Sequence, residues 1–343
     1  MNLTTALLTG SAAAVTATSA VPLRRLALRR HLTDRPAAHK TNRRVTPYLG
    51  GIAIVLGTMV SAPSAAADPR LLAIMLGGVA MAVLGLLDDL RPLSPITRLT
   101  VETVVAAGVV FNGVLAPLTG HWVDIPLTVF WIVLITNAFN LLDNMDGALP
   151  AVAGVSCGML SATAFMLGHA GTGLFLATAS AACAGFLLHN WPPARMFMGD
   201  SGSLYLGFIA SCSATLLVTE MSSAAVPAGL LLPVFVAVTD TCVVMLARKL
   251  NGRPLLQGGT DHLSHRLRLL GLGTGSVATT LAALAGLANA LALAVALGVV
   301  APVIAAAAAF TVLVILVALF LGVDVCYPKA ATGQRTPSIS KLT

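Results

Sequence analysis

Charge is what this sequence has least of. Asp, Glu, Lys and Arg make up 10% of its 343 residues, against about 25% in a soluble globular chain. That scarcity, with 57% hydrophobic residues, excludes a water-soluble protein and makes lipid the main solvent. No loop is long enough for a soluble domain, and no domain boundary stands out. Lysine and arginine are absent before the first apolar run, Leu3 to Leu23, while Arg24, Arg25, Arg29 and Arg30 follow it. A secretory signal has the reverse polarity, so the run reads as a first membrane helix with its N-terminus outside. The five cysteines, Cys157, Cys183, Cys212, Cys242 and Cys326, lack metal-ligand spacing. They read as small apolar fillers with no redox role. Strand patterns are missing as well. The apolar runs are too long and show no period of two, which leaves helices, the segments that satisfy their own backbone in lipid.

Apolar windows near the spanning length of ~20 residues occur at about 3–23, 48–65, 71–87, 99–118, 126–142, 148–168, 172–188, 203–219, 226–247, 276–299 and 301–322. They predict an all-α, polytopic integral membrane protein of about eleven transmembrane helices. A single membrane domain covers 1–328, and 329–343 reads as a disordered cytoplasmic tail. With the N-terminus outside, the inner segments are 24–47, 88–98, 143–147, 189–202, 248–275 and the tail from 323. They hold 19 of the 20 Lys and Arg residues, and only Arg70 falls outside. The positive-inside rule thus supports both the segment count and a cytoplasmic C-terminus. It also accounts for the pI near 9.6 as topology plus attraction to anionic lipids and substrates. No nucleic-acid partner is expected.

Only 13 acidic residues occur, so their places carry information. Asp68, Asp124 and Glu220 fall on the outer side and read as solvated loop charges. The others gather on the inner side. Asp88 and Asp89 end the third window in GLLDDL. Asp143 and Asp146 end the fifth in NAFNLLDNMDG, with Asn140 one turn earlier and Gly147 marking the helix stop. Asp200 opens a helix in FMGDSGS, Asp240 sits inside the ninth window, and Asp261 precedes His262, His265 and Arg266 in DHLSHRL. Adjacent aspartates repel, and near lipid they need cations or basic groups. Five motif-borne aspartates on one face predict a divalent metal site that handles phosphates. Oxygen ligands in an incomplete protein cage suit Mg2+. Arg266 offers a guanidinium for phosphate, and Arg43 and Arg44 precede the second window. Phe197, three residues before Asp200, reads either as a nucleobase platform or as an interfacial anchor. Glu102 lies in the inner half of the fourth window, where a basic loop residue is a partner within reach and no motif gives it a role.

Together these motifs resemble the bacterial polyprenyl-phosphate N-acetylhexosamine-1-phosphate transferases, glycosyltransferase family 4, relatives of phospho-N-acetylmuramoyl-pentapeptide transferase. The resemblance runs from about Asp34 to Leu270, through DRPAAHKTNRRVTPYLGGIAI, GLLDDL, NAFNLLDNMDG, NWPPARMFMGDSGS, TDTCVVMLAR and DHLSHRL. Its specific part is NxxNxxDxxDG followed by PAxxFMGDxGS. It implies transfer of N-acetylglucosamine-1-phosphate from UDP-N-acetylglucosamine to a polyprenyl phosphate, undecaprenyl or decaprenyl, with release of UMP. The setting it implies is the cytoplasmic face of a bacterial inner membrane, at the start of a lipid-linked cell-envelope glycan. It implies Mg2+ on Asp200, with Mn2+ as a substitute. Asp88 would be the base toward the lipid phosphate with Asp89 beside it, and Asp143, Asp146 and Asn140 would line the nucleotide pocket. Asn190 and Phe197 would hold the uridine. Arg43, Asp240, His262, His265 and Arg266 would contact the substrates at phosphates or sugar. A homodimer is allowed.

The sequence departs from the family pattern at four places. Asn42 and Arg43 stand where many members have a basic-His pair, Pro92 replaces an acid, Ala148 replaces a leucine, and Ser264 interrupts the HxHHR form of the His loop. The last favours an N-acetylglucosamine donor over a muramoyl-pentapeptide one. The alternatives are that donor, or another UDP-N-acetylhexosamine, in the same reaction. A cation-coupled transporter would use acids such as Glu102 and Asp240 near the midplane of repeated halves. Here most acids lie at one face, and no repeat is visible.

Overall fold

The computed structural model describes residues 3–34, 46–62, 67–219, 221–254 and 259–323. Arg43, Glu220, Cys326 and the 329–343 tail lie outside them. The chain is an all-α polytopic membrane protein, as its composition requires. Its helices are α1 (Leu3–Arg29), α2 (Gly50–Ser61), α3 (Pro69–Leu90), α4 (Pro95–Phe111), α5 (Asp124–Leu142), α6 (Ala148–Met166), α7 (Ala170–Asn190), α8 (Asp200–Val218), α9 (Val226–Leu231), α10 (Phe235–Leu250), α11 (Leu263–Leu269), α12 (Thr274–Ala296) and α13 (Pro302–Leu321). Every apolar window therefore contains a helix. Among the described residues, nine helical segments are long and apolar enough to cross a membrane, with Val226–Leu250 counted as one. That segment is broken at Leu232–Val234 by a single 3-10 turn containing Pro233, where the ring denies the helix a donor. The window at 48–65 yields only the 12-residue α2, about 18 Å long at 1.5 Å per residue, short of a ~30 Å bilayer core.

The helix at the centre is α8. Every residue from Ser201 to Val218 is buried, and α3, α5 and α2 pack around it. Lipid offers no hydrophobic drive between helices, so close packing relies on small residues. A Cβ added at Gly85 of α3 would sit 2.3 Å from the Asp200 carbonyl, and one at Gly51 of α2 would sit 2.1 Å from the Gly202 nitrogen. These approaches bring the ends of α2 and α3 against the first turn of α8. Helix α13 buries only Ala305, Ala309 and Val317.

A small antiparallel pair joins β1 (Thr33–Asp34) to β2 (Thr46–Pro47), a departure from the purely helical expectation. Its second strand runs on against the segment before α8. Phe197 N donates to Pro47 O at 2.8 Å, and Gly50 N and Gly51 N donate to Phe197 O and Met198 O at 3.0 and 2.8 Å. Of the described cysteines, Cys157, Cys183 and Cys212 are buried, Cys242 is half-buried, and all four are free thiols.

Candidate active site

The five motif-borne aspartates meet at one end of the bundle through direct bonds or electrostatic contact. Asp89, at the C-terminal end of α3, accepts Asp200 N at 3.0 Å and Ser201 N at 3.3 Å. It thereby caps the start of α8, where unpaired amides and the helix dipole favour an anion. Gly199, at φ 74°, makes that approach fit, since a Cβ there would lie 2.6 Å from Asp89 Oδ2. Asp88 accepts Leu93 N at 2.7 Å and Arg98 at 3.1 Å. Arg98 also lies 3.4 Å from Asp200 Oδ2 and 3.4 Å from Glu102 Oε1. Its second terminal nitrogen donates to Asn137 Oδ1 at 2.9 Å and Asn140 Oδ1 at 3.3 Å. Asn140 in turn donates to Asp200 Oδ1 at 2.8 Å and to Ser203 Oγ at 2.9 Å.

Arg98, Asn137 and Ser203 were not singled out from the sequence. A signal was available for the arginine. Glu102 is a buried acid in an apolar run, such an acid needs a partner, and Arg98 lies four residues before it on the same helix face. Asn137 donates to the other Glu102 oxygen. The partner of Glu102 is thus a residue of its own helix and not of a loop.

Asp143 and Asp146 do not continue the helix face of Asn140. Helix α5 ends at Leu142, with Asp143 as its C-cap. Gly147, at φ 74°, precedes α6 and does not terminate α5. The two aspartates therefore sit on a five-residue loop. Asp146 accepts Ala194 N at 2.9 Å, and burial still raises its carboxyl above the usual range. Asp143 accepts no hydrogen bond among the described residues. Burial, and then the charges of Asp200, Asp89 and Asp146, push it up to about 8.

Three expected substrate contacts are engaged elsewhere. Asn190 is buried and its amide is consumed by backbone, accepting Gly147 N at 2.8 Å and donating to Met196 O at 2.9 Å. It braces the two loops from below. A buried amide must be paired, and here the backbone of both loops supplies a partner for its oxygen and for its nitrogen. Arg266 turns its guanidinium onto Phe320 O and Val323 O, both at 2.6 Å, at the C-terminal end of α13, where carbonyls lack helical partners. Asp240 is buried and accepts His262 Nδ1 at 2.9 Å and Leu263 N at 2.6 Å. It orients the His loop from behind. Phe197 is half-buried and holds the segment through its backbone bridge to Tyr48.

The His loop is anchored by ions. Buried Asp261 accepts Arg248 Nε at 3.1 Å and Arg253 at 3.0 and 3.1 Å. His262 and His265 follow with ring centres 5.9 Å apart. Ser264 donates to Asn144 in the loop that bears Asp143, which links the His loop to the aspartate loop.

Among the described residues no three His, Cys, Asp or Glu side chains converge on a metal position. The donor set still fits Mg2+, which takes one or two carboxylates and keeps most of its waters. Asp200 and Asp88 supply all-oxygen donors, and Asp143 records the surplus negative charge that a cation would relieve.

The fold and site define a polytopic helical membrane protein with carboxylates and amides gathered at one end of its bundle, and the comparisons give its family. The family model described as Glycosyl transferase family 4 matches residues 71–218, the stretch from α3 through α8. A Streptomyces coelicolor protein named as a glycosyltransferase is 39% identical over 276 residues, 78% of this chain and 64% of its own length. The chain thus spans a little under two thirds of that relative. The Bacillus subtilis "Probable undecaprenyl-phosphate N-acetylglucosaminyl 1-phosphate transferase" is 35% identical over 269 residues, 73% of each chain. A Shouchella clausii phospho-N-acetylmuramoyl-pentapeptide-transferase is 31% identical over 254 residues, 66% of this chain and 76% of its own. The chain belongs to glycosyl transferase family 4.

Proposed function

We propose that the chain transfers N-acetylglucosamine-1-phosphate from UDP-N-acetylglucosamine to a polyprenyl phosphate and releases UMP, at the cytoplasmic face of a bacterial inner membrane. The observation that carries this reading is the cluster of Asp88, Asp89, Asp143 and Asp200, with Arg98 paired to Asp88 and Asp200, at one end of a membrane bundle. The name of the Bacillus subtilis relative and the placement of 19 of 20 basic residues on the inner segments support the substrate and the face.

Phosphoryl transfer asks for charge neutralisation and in-line positioning more than covalent help. A lipid phosphate oxygen attacks the sugar-bearing phosphorus of the UDP-sugar. The new P–O bond forms as the bond to the bridging oxygen breaks, and UMP leaves with that electron pair. Asp200, with Asp88 beside it, would hold Mg2+, which neutralises the pyrophosphate when bound. Asp88 takes any proton still on the lipid phosphate. Arg98 spans the acids and offers its donors to phosphate oxygens. Asn140 keeps Asp200 oriented, and Asp89 fixes the first turn of α8. Asp143 and Asp146 line the nucleotide side, and His262 and His265 face the donor sugar.

The name of the Shouchella clausii relative favours a second donor, UDP-N-acetylmuramoyl-pentapeptide. Membranes containing the chain, incubated with Mg2+ and each radiolabelled UDP-N-acetylhexosamine in turn, test both. Butanol-soluble label from UDP-N-acetylglucosamine is the expected result. Lipid-linked product from the pentapeptide donor alone would replace the first reading with the second.

A further inference from the structure

Glu102 is a buried acid that the proposed reaction leaves unused. It lies four residues beyond Arg98 on α4, about 6 Å deeper along the helix axis, and is 1% exposed. Its Oε1 lies 3.4 Å from Arg98 Nε, a charge pair and not an aligned hydrogen bond. Its Oε2 accepts from Asn137 Nδ2. Asn137 Nδ2 also donates to Val133 O at 2.9 Å. A backbone carbonyl only accepts, so the amide has one orientation, and its Oδ1 accepts Arg98 Nη2 at 2.9 Å. Glu102 thus meets the guanidinium twice, directly at Nε and through Asn137 at Nη2.

A guanidinium is planar and rigid, so holding Nε and Nη2 fixes where Nη1 points. Nη1 is the nitrogen between the two aspartates, 3.1 Å from Asp88 Oδ2 and 3.4 Å from Asp200 Oδ2. Those aspartates already supply Arg98 with counter-ions, so its charge does not require Glu102. Its geometry does. The stem of an arginine has many rotamers, and a phosphate entering the cleft draws an untethered guanidinium toward itself. We propose that Glu102 is a positioning residue that acts through Arg98: from beneath the cluster, together with Asn137, it keeps Nη1 aimed at the gap between Asp88 and Asp200. The inference rests on the reading of this cluster as the reacting centre, where Arg98 offers donors to phosphate oxygens.

Two measurements test it. In turnover assays, Glu102→Leu should lower kcat about tenfold, within the cost of a misplaced group, and leave the KM for each substrate within about threefold. Glu102→Gln, which keeps an oxygen for Arg98 Nε, should recover most of the loss. In an Arg98→Ala background, Glu102→Leu should cost nothing further, because a residue that acts through another has no effect once that other is gone. Equal losses in both backgrounds contradict the proposal, and so does an unchanged kcat in Glu102→Leu. The second measurement needs no substrate. In the full-length protein labelled with 15N-arginine and held in lipid nanodiscs, the side-chain signals of Arg98 are assigned with Arg98→Lys. Slow rotation about the Nε–Cζ bond, with Nη1 and Nη2 resolved, is expected in the wild type, and merged signals in Glu102→Leu. A freely rotating Arg98 in the wild type overturns the proposal without any Glu102 variant, and so do resolved signals that persist in Glu102→Leu. A wild-type protein that turns over no UDP-sugar refutes the proposed reaction, while the rotation of Arg98 still decides whether Glu102 holds it.

Discussion

The two ends of α5 each carry an aspartate, and the fold treats them in opposite ways. Asp124 opens the helix, where the dipole favours an anion. It is buried and accepts Thr119 N at 2.8 Å, Thr119 Oγ at 2.9 Å and Gly120 N at 2.9 Å. Its place in the sequence suggests a solvated loop charge, but it is a buried carboxylate that ties the preceding loop to the first turn of α5. Asp143 stands just past the other end, where the dipole disfavours an anion. Among the described residues no donor reaches its carboxylate, and three further acids surround it electrostatically. The fold satisfies one acid threefold and leaves the other, among the described residues, unbonded among like charges, and the proposed reaction gives the second a ligand.

That contrast can be broken by substitution. The largest effect belongs to the cluster that Asp143 faces. Asp200→Asn should lower lipid-product formation about a thousandfold, the scale of losing an electrostatic contact made at the reacting centre, with unchanged protein in the membrane. Activity within tenfold of wild type removes Asp200 from the centre. Arg98→Ala should cost about a hundredfold, because Asp88, Asp200 and Glu102 lose their shared cation. Wild-type turnover would reduce Arg98 to a structural counter-ion. The paired test follows. Asp143→Asn should cut turnover about thirtyfold without loss of thermal stability. Asp124→Asn should leave turnover within about threefold and lower Tm by about 5 °C through its lost bonds. If both substitutions act on stability alone, the comparison fails.

The smallest effect is on pH dependence. The Asp143 carboxyl has an unfolded value near 3.8 and a folded value of about 8. Between them the folded state binds more protons, so metal-free protein loses stability as pH rises through that window. Tm measured in EDTA from pH 5 to 8 should fall, and Asp143→Asn should flatten the fall. An unchanged slope in the variant contradicts the assignment.

Much of this was legible in the chain. Long apolar runs left only helices, and the acids marked the end of the bundle where carboxylates and amides converge. The partners of those acids were less legible, because they come from packing. Arg98 looked like one of many inner-face basic residues until α4 carried it between α3, α5 and α8. Asn190 and Arg266 look like ligand contacts from their motifs, and in the fold they also pair with backbone groups, which no motif spacing foretells. The register of Asn140, Asp143 and Asp146 misled because α5 stops at Leu142, one residue before the helical spacing would have mattered.

The central claim is that phosphate moves together with the sugar. UDP-N-acetylglucosamine labelled with 32P at either phosphorus decides it, using membranes that contain the chain, Mg2+ and polyprenyl phosphate. Label on the sugar-bearing phosphorus should enter the butanol-soluble lipid, and label on the uridine-bearing phosphorus should stay in water as UMP. Both labels remaining in water would contradict the account.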